Sequence, residues 1–139
     1  MKTHYMMTQT IRLFLLLEAA AFVAAASVHF SLVIAGYEHR KAGVAESVIA
    51  TVLILGVAVT SLGRTWTRRV GLAAQAFALG GTLIGVFTIT IGVGPRTLPD
   101  VAYHFAIMAV LIWGLVVAVR ARLTTRSPTH DPADRCVAI

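Results

Sequence analysis

Apolar residues run along this chain in four long blocks separated by short polar punctuation. The blocks cover about 13–35, 45–62, 70–91 and 101–119, each near the roughly 20 residues a helix needs to cross a bilayer core. Glycine and proline mark the breaks. Gly36 closes the first block before a charged loop holding Glu38, His39, Arg40 and Lys41, and Gly63 closes the second before Arg64, Trp66, Arg68 and Arg69. Tryptophan among arginines is the usual signature of a helix end at a membrane interface. Gly92-Val93-Gly94-Pro95 breaks the third block, since proline cannot donate a helical hydrogen bond. Pro99-Asp100 opens the fourth, with Asp100 as a cap. Short links between successive spans predict an all-α integral membrane protein, an antiparallel four-transmembrane-helix bundle running up-down-up-down. Residues 1–120 are expected to form this domain, and 121–139 a polar cytoplasmic tail.

Composition strengthens that reading. Of 139 residues, 58% are hydrophobic and only 13% charged, against roughly 25% charged in soluble domains. The formal charge of +6 lies between apolar blocks rather than on a separate domain, so nucleic acid is not an expected partner; the lipid bilayer is. The basic residues are also asymmetric. Lys2, Arg12, Arg64, Arg68, Arg69, Arg120, Arg122, Arg126 and Arg135 fall on one side, while Arg40, Lys41 and Arg96 fall on the other. The positive-inside rule then places both termini in the cytoplasm. Heavy use of Ala, Val and Arg suggests a bacterial source, and hence the cytoplasmic (inner) membrane. Lys2 and Arg12 ahead of an apolar run also resemble a secretory signal, but Glu18 interrupts that run and the stretch continues to Ala35. A retained helix is expected. The lone Cys136 excludes an intrachain disulfide framework.

Chemistry is concentrated at one depth. Ionisable groups within a membrane are costly and mark candidate sites. Placing each helix by its 1.5 Å rise puts His29 roughly 8 Å, Glu46 roughly 12 Å and His104 roughly 9 Å to the outer side of the midplane, with Thr88 at similar depth. Asp100 stands four residues before His104, on the same face, and Met108 follows one turn deeper. Two imidazoles and a carboxylate suit a metal ion, with His29, His104 and Glu46 as ligands and Met108 as a soft donor for copper. Asp100 is then the carboxylate that orients a histidine, expected to be His104. Two histidines also suit the axial positions of a haem, with Arg40, Lys41 and Arg96 near its propionates. A quinone-like ligand held by histidine and carboxylate hydrogen bonds is the third option. The expected function is therefore ligand binding in the outer half of the bundle, with redox chemistry if the ligand is redox-active.

A second constellation lies on the inner side. Glu18 is roughly 9 Å inward of the first helix centre, and Gln75 of the third helix lies at a comparable depth, where an amide satisfies a carboxyl group. In helix count and in this one carboxyl the plan resembles the small proton-coupled multidrug exporters, which implies Glu18-driven transport as an alternative function. Another alternative is a non-enzymatic accessory subunit of a larger membrane complex. Gly81 and Gly85 form a GxxxG pair expected to serve packing within the bundle, with a homo-oligomer contact as the alternative. No GxSxG, HExxH or P-loop pattern occurs, and whether the chain is an enzyme stays open.

Overall fold

The computed structural model describes residues 2–63 and 66–121. Arg64 and the tail residues Arg122, Arg126, Arg135 and Cys136 lie outside the described residues. Four helices follow one another, α1 (Lys2–His29), α2 (Arg40–Leu62), α3 (Thr67–Thr90) and α4 (Leu98–Arg120), and no strand occurs among the described residues. All four are long and apolar enough to span a membrane.

Contacts at the two ends fix an antiparallel arrangement. His29 at the end of α1 meets Glu46 near the start of α2 and Asp100 near the start of α4. At the opposite end, Arg12 of α1 donates to the carbonyl of Thr60 near the end of α2. Arg68 of α3 donates to the carbonyl of Ala118 near the end of α4 at 3.2 Å. Carbonyls at a helix C-terminus lack intrahelical partners, and basic side chains satisfy them favourably. Arg96 does the same for α3, donating to Ile89 (3.0 Å) and Thr90 (3.1 Å). The end that gathers His29, Glu46 and Asp100 is called the site end below.

Between the ends runs a core of Ile11, Leu15, Phe22, Ile49, Leu53 and Leu111 with interleaved alanines. Small residues on α3 bring its neighbours close. A Cβ on Gly71 would stand 2.6 Å from Ile11, one on Gly81 2.7 Å from Ile49, and one on Gly85 2.8 Å from His104 Nε2. The GxxxG face is thus occupied by α2 and α4 of the same chain. Among the described residues α2 and α4 do not pack on each other, because α1 and α3 are in contact between them.

Several boundaries differ from the sequence expectation: α1 begins at Lys2 rather than near Leu13, α2 at Arg40 rather than near Ala45, and α3 and α4 each about a turn earlier than expected. α1 stops at His29 rather than near Ala35, although the following residues are apolar. Ser31 takes a left-handed conformation (φ 56°), and Phe30 pairs with Glu38 in an isolated antiparallel bridge. The His39 amide donates to the carbonyl of His29 at 2.9 Å. The phenyl ring of Phe30 lies over Gly43, where a Cβ would come within 3.1 Å of it. The 30–39 segment is therefore a folded strap, not a helical extension. At α4, the N-cap is Thr97 and Asp100 is the third helical residue of a capping box, with Pro99 in the first turn.

Candidate functional site

A buried triad stands at the centre of the site end. His29 Nδ1 lies 2.6 Å from Glu46 Oε2, and His29 Nε2 lies 3.2 Å from Asp100 Oδ1. The three residues are only 3%, 6% and 5% exposed. Each comes from a different helix, and each is placed by a local device. His29 is set by the end of α1 where the strap turns back, Asp100 by the capping box, and Glu46 by the second turn of α2. Buried charged groups persist only when their hydrogen-bonding capacity is met, and here the histidine spends both ring nitrogens on carboxylates.

Asp100 is the better-served carboxylate. Besides His29, its Oδ2 accepts from the Thr97 amide (3.2 Å), the Thr97 hydroxyl and the Tyr37 hydroxyl. Tyr37 also reaches Thr97 Oγ1 at 2.6 Å, so the strap is pinned to α4. Burial first, and then the contact with Asp100, push the Tyr37 phenol above its ordinary value. The Tyr37 ring stacks on His29 at 5.8 Å between centroids, and His39 stands edge-on to both.

His104 does not join the triad. Its Nδ1 lies 2.7 Å from the backbone carbonyl of Asp100, one turn earlier in α4. A carbonyl only accepts, so Nδ1 carries the hydrogen, and in the neutral ring Nε2 then keeps its lone pair. That nitrogen lies over Gly85, and no hydrogen bond reaches it among the described residues. The expectation that the Asp100 carboxylate orients His104 is thus replaced. The backbone of Asp100 orients His104, and its carboxylate orients His29.

Two recesses flank the triad. The first is a cavity of about 470 Å³ between α2 and α3, walled by Phe22, Glu46, Ile49, Thr82 and Thr88, entered past Gly85 by His104 as the one residue of α4, and rimmed by the charged Glu38, Arg40 and Lys41. The second is an apolar groove of about 570 Å³ between α1 and α4, reached by His29, Tyr37, Asp100 and Tyr103. The triad is the partition between them. No family model, curated protein or solved structure matches the chain. Its chemistry is therefore argued from the site alone.

Among the sequence-predicted residues, His29, Glu46 and Asp100 are brought into direct contact, while Glu46 and His104 line one cavity without contacting each other. No three His, Cys, Asp or Glu side chains among the described residues are grouped to hold a metal ion. Met108 lines neither recess, and Arg96 is engaged by the carbonyls of α3. Tyr37, Thr97 and Gly85 belong to the site and were not expected from sequence. Only the capping pattern Thr97-x-x-Asp100 carried a signal for any of them. Glu18 and Gln75 do pair, with Gln75 Nε2 donating to Glu18 Oε1 at 2.9 Å.

Proposed function

We propose that this chain is a multi-pass protein of a bacterial inner membrane, with both termini cytoplasmic, that binds a small aromatic ligand of the quinol class. The ligand sits in the cavity between α2 and α3 that His104 of α4 enters. One observation carries the reading: a histidine held in a single tautomer offers its lone pair, and a carboxyl group offers an oxygen, inside one largely apolar cavity. His104 Nε2 and Glu46 Oε1 are both acceptors without a protein donor among the described residues. The complementary ligand is an apolar ring bearing hydroxyl donors. A volume of about 470 Å³ lies within the range of roughly 300–1,000 Å³ for small-molecule sites. Apolar walls with a few convergent polar atoms are what such ligands require. The lysine and arginine asymmetry along the chain supports the orientation.

The test is equilibrium binding of decylubiquinol to the protein in lipid nanodiscs, with empty discs as the partitioning blank. Saturable binding of one quinol per chain is expected. His104→Leu and Glu46→Gln are each expected to weaken it about tenfold or more, the loss of roughly one well-made hydrogen bond. Non-saturable uptake that is the same in wild type and His104→Leu would overturn the reading.

A further inference from the structure

The triad does more than line a wall, because its bonds are continuous from the α2–α3 cavity to the separate Tyr37–Thr97 rim at α4. Glu46 faces the cavity, Glu46 Oε2 meets His29 Nδ1 (2.6 Å), and His29 Nε2 meets Asp100 Oδ1 (3.2 Å). Asp100 Oδ2 meets the Tyr37 hydroxyl, which meets Thr97 at the exposed edge. Every member of this line can both give and take a hydrogen bond, the carboxyl groups when they carry a proton, which is the requirement for passing a proton along it.

Proton counting shows what the line can do. An imidazole between two carboxyl groups has three arrangements. The proton in question sits on Glu46, on His29 as imidazolium, or on Asp100. All three contain the same number of protons and the same net charge of the triad, so exchanging them moves a proton from the cavity side to the rim side without adding charge to the interior. Charging a low-dielectric site is costly, and this arrangement avoids it. The donors already assembled on Asp100 hold the negative charge at the rim end. The proton then rests on the Glu46–His29 side, consistent with the 2.6 Å contact there. Other titratable groups packed around the line are His39 of the strap and Tyr103 and His104 of α4, with Glu38, Arg40 and Lys41 at the cavity rim. α3 contributes only the hydroxyls of Thr82 and Thr88, both bonded to their own helix.

From this geometry we infer that Glu46, His29, Asp100 and Tyr37 form a proton relay joining the α2–α3 cavity to the Tyr37–Thr97 rim at α4. It takes the proposed ligand cavity as its inner terminus but operates without a ligand, so its failure and that of quinol binding are told apart. When a hydroxylated ligand in the cavity gives up a proton and is left as its anion, Glu46 takes the proton as its own passes to His29 Nδ1 and the His29 Nε2 proton passes to Asp100; Asp100 then hands one to Tyr37 as the Tyr37 hydroxyl turns its proton out to the rim. The charge and proton count of the triad are restored at the end of each transfer.

The experiment uses the full chain in nanodiscs with no ligand. Infrared difference spectra follow the isotope shift of protonated carboxyl groups after rapid transfer from H2O to D2O, and Glu46→Gln identifies the band. In wild type the band is expected to exchange in the fast phase. In Asp100→Asn, and in Tyr37→Phe, which leaves all three triad side chains in place, exchange is expected to slow about tenfold or more, the scale on which a positioned acid–base group acts. Exchange as fast in both variants as in wild type would show that Glu46 equilibrates through the cavity mouth and would overturn the relay. So would the absence of any carboxyl band that Glu46→Gln removes.

Discussion

Gly114 of α4 passes so close to Glu18 and Gln75 that a Cβ there would overlap Gln75 Nε2 and stand 2.8 Å from Glu18 Oε1. Both polar side chains are 0% exposed. Beyond the bond that joins them, Glu18 Oε2 and Gln75 Oε1 have no partner. Those two oxygens are satisfied together when the carboxyl carries its proton, because a small rotation closes an acid–amide ring in which each group donates once. A methyl group at 114 forces this pair apart. Gly114→Ala is therefore expected to destabilise the protein by about 1–3 kcal/mol, the usual cost of overpacking, read as a lower thermal midpoint in detergent. In a Gln75→Ala background the penalty should shrink, since the closer of the two collisions is gone and Glu18 gains room to move away; an equal penalty in both backgrounds contradicts the account. Glu18 and Gln75 were legible in the sequence because polar groups at matching depth in apolar helices must find each other. Gly114 was not, because nothing along one helix says which neighbour its bare backbone faces. The same limit hid Gly85, whose missing side chain makes room for His104.

Helix centres follow from hydropathy, but two helix ends here follow from contacts that span the fold. The run after His29 is as apolar as the helix before it, with Leu32, Val33 and Ile34 all exposed, so a hydropathy pattern has no reason to stop. What stops α1 is the engagement of His29 with Glu46 and Asp100 and the return of the strap to its carbonyl. Those partners are remote in sequence, and no local signal announces them. At α4 the local signal is present, since Thr97 and Asp100 cap reciprocally. The capping box also aims the Asp100 carboxylate at His29, so one motif starts a helix and completes the triad. Thr97→Ala removes the cap and one donor to Asp100 and is expected to cost about 1–2 kcal/mol. Thr97→Ser should restore most of it in thermal unfolding, and a Thr97→Ala protein as stable as wild type would remove the capping box from the account.

Across the whole molecule the polarity of a soluble protein is reversed. Large apolar side chains such as Leu13, Leu55, Ile84 and Phe105 are exposed on all four helices, while Glu18, Gln75, His29, Glu46 and Asp100 are inside. Lipid tails suit such a surface, and polar groups must then be satisfied within the bundle. The two ends are not equivalent. Arg12 and Arg68 lie at the end opposite the site and are joined there, in sequence, by most of the remaining basic residues. If the positive-inside rule governs insertion, the triad opens to the extracytoplasmic face, and the relay ends where released protons leave the cell. Single cysteines introduced in a Cys136→Ser background decide the matter. An impermeant maleimide added to intact cells should label Glu38→Cys of the strap and spare Lys2→Cys until the membrane is opened. The reverse pattern would invert the molecule and direct the same relay to the cytoplasm. Labelling of both before lysis would break the antiparallel arrangement, because α1 alone separates the two positions and must cross the bilayer once.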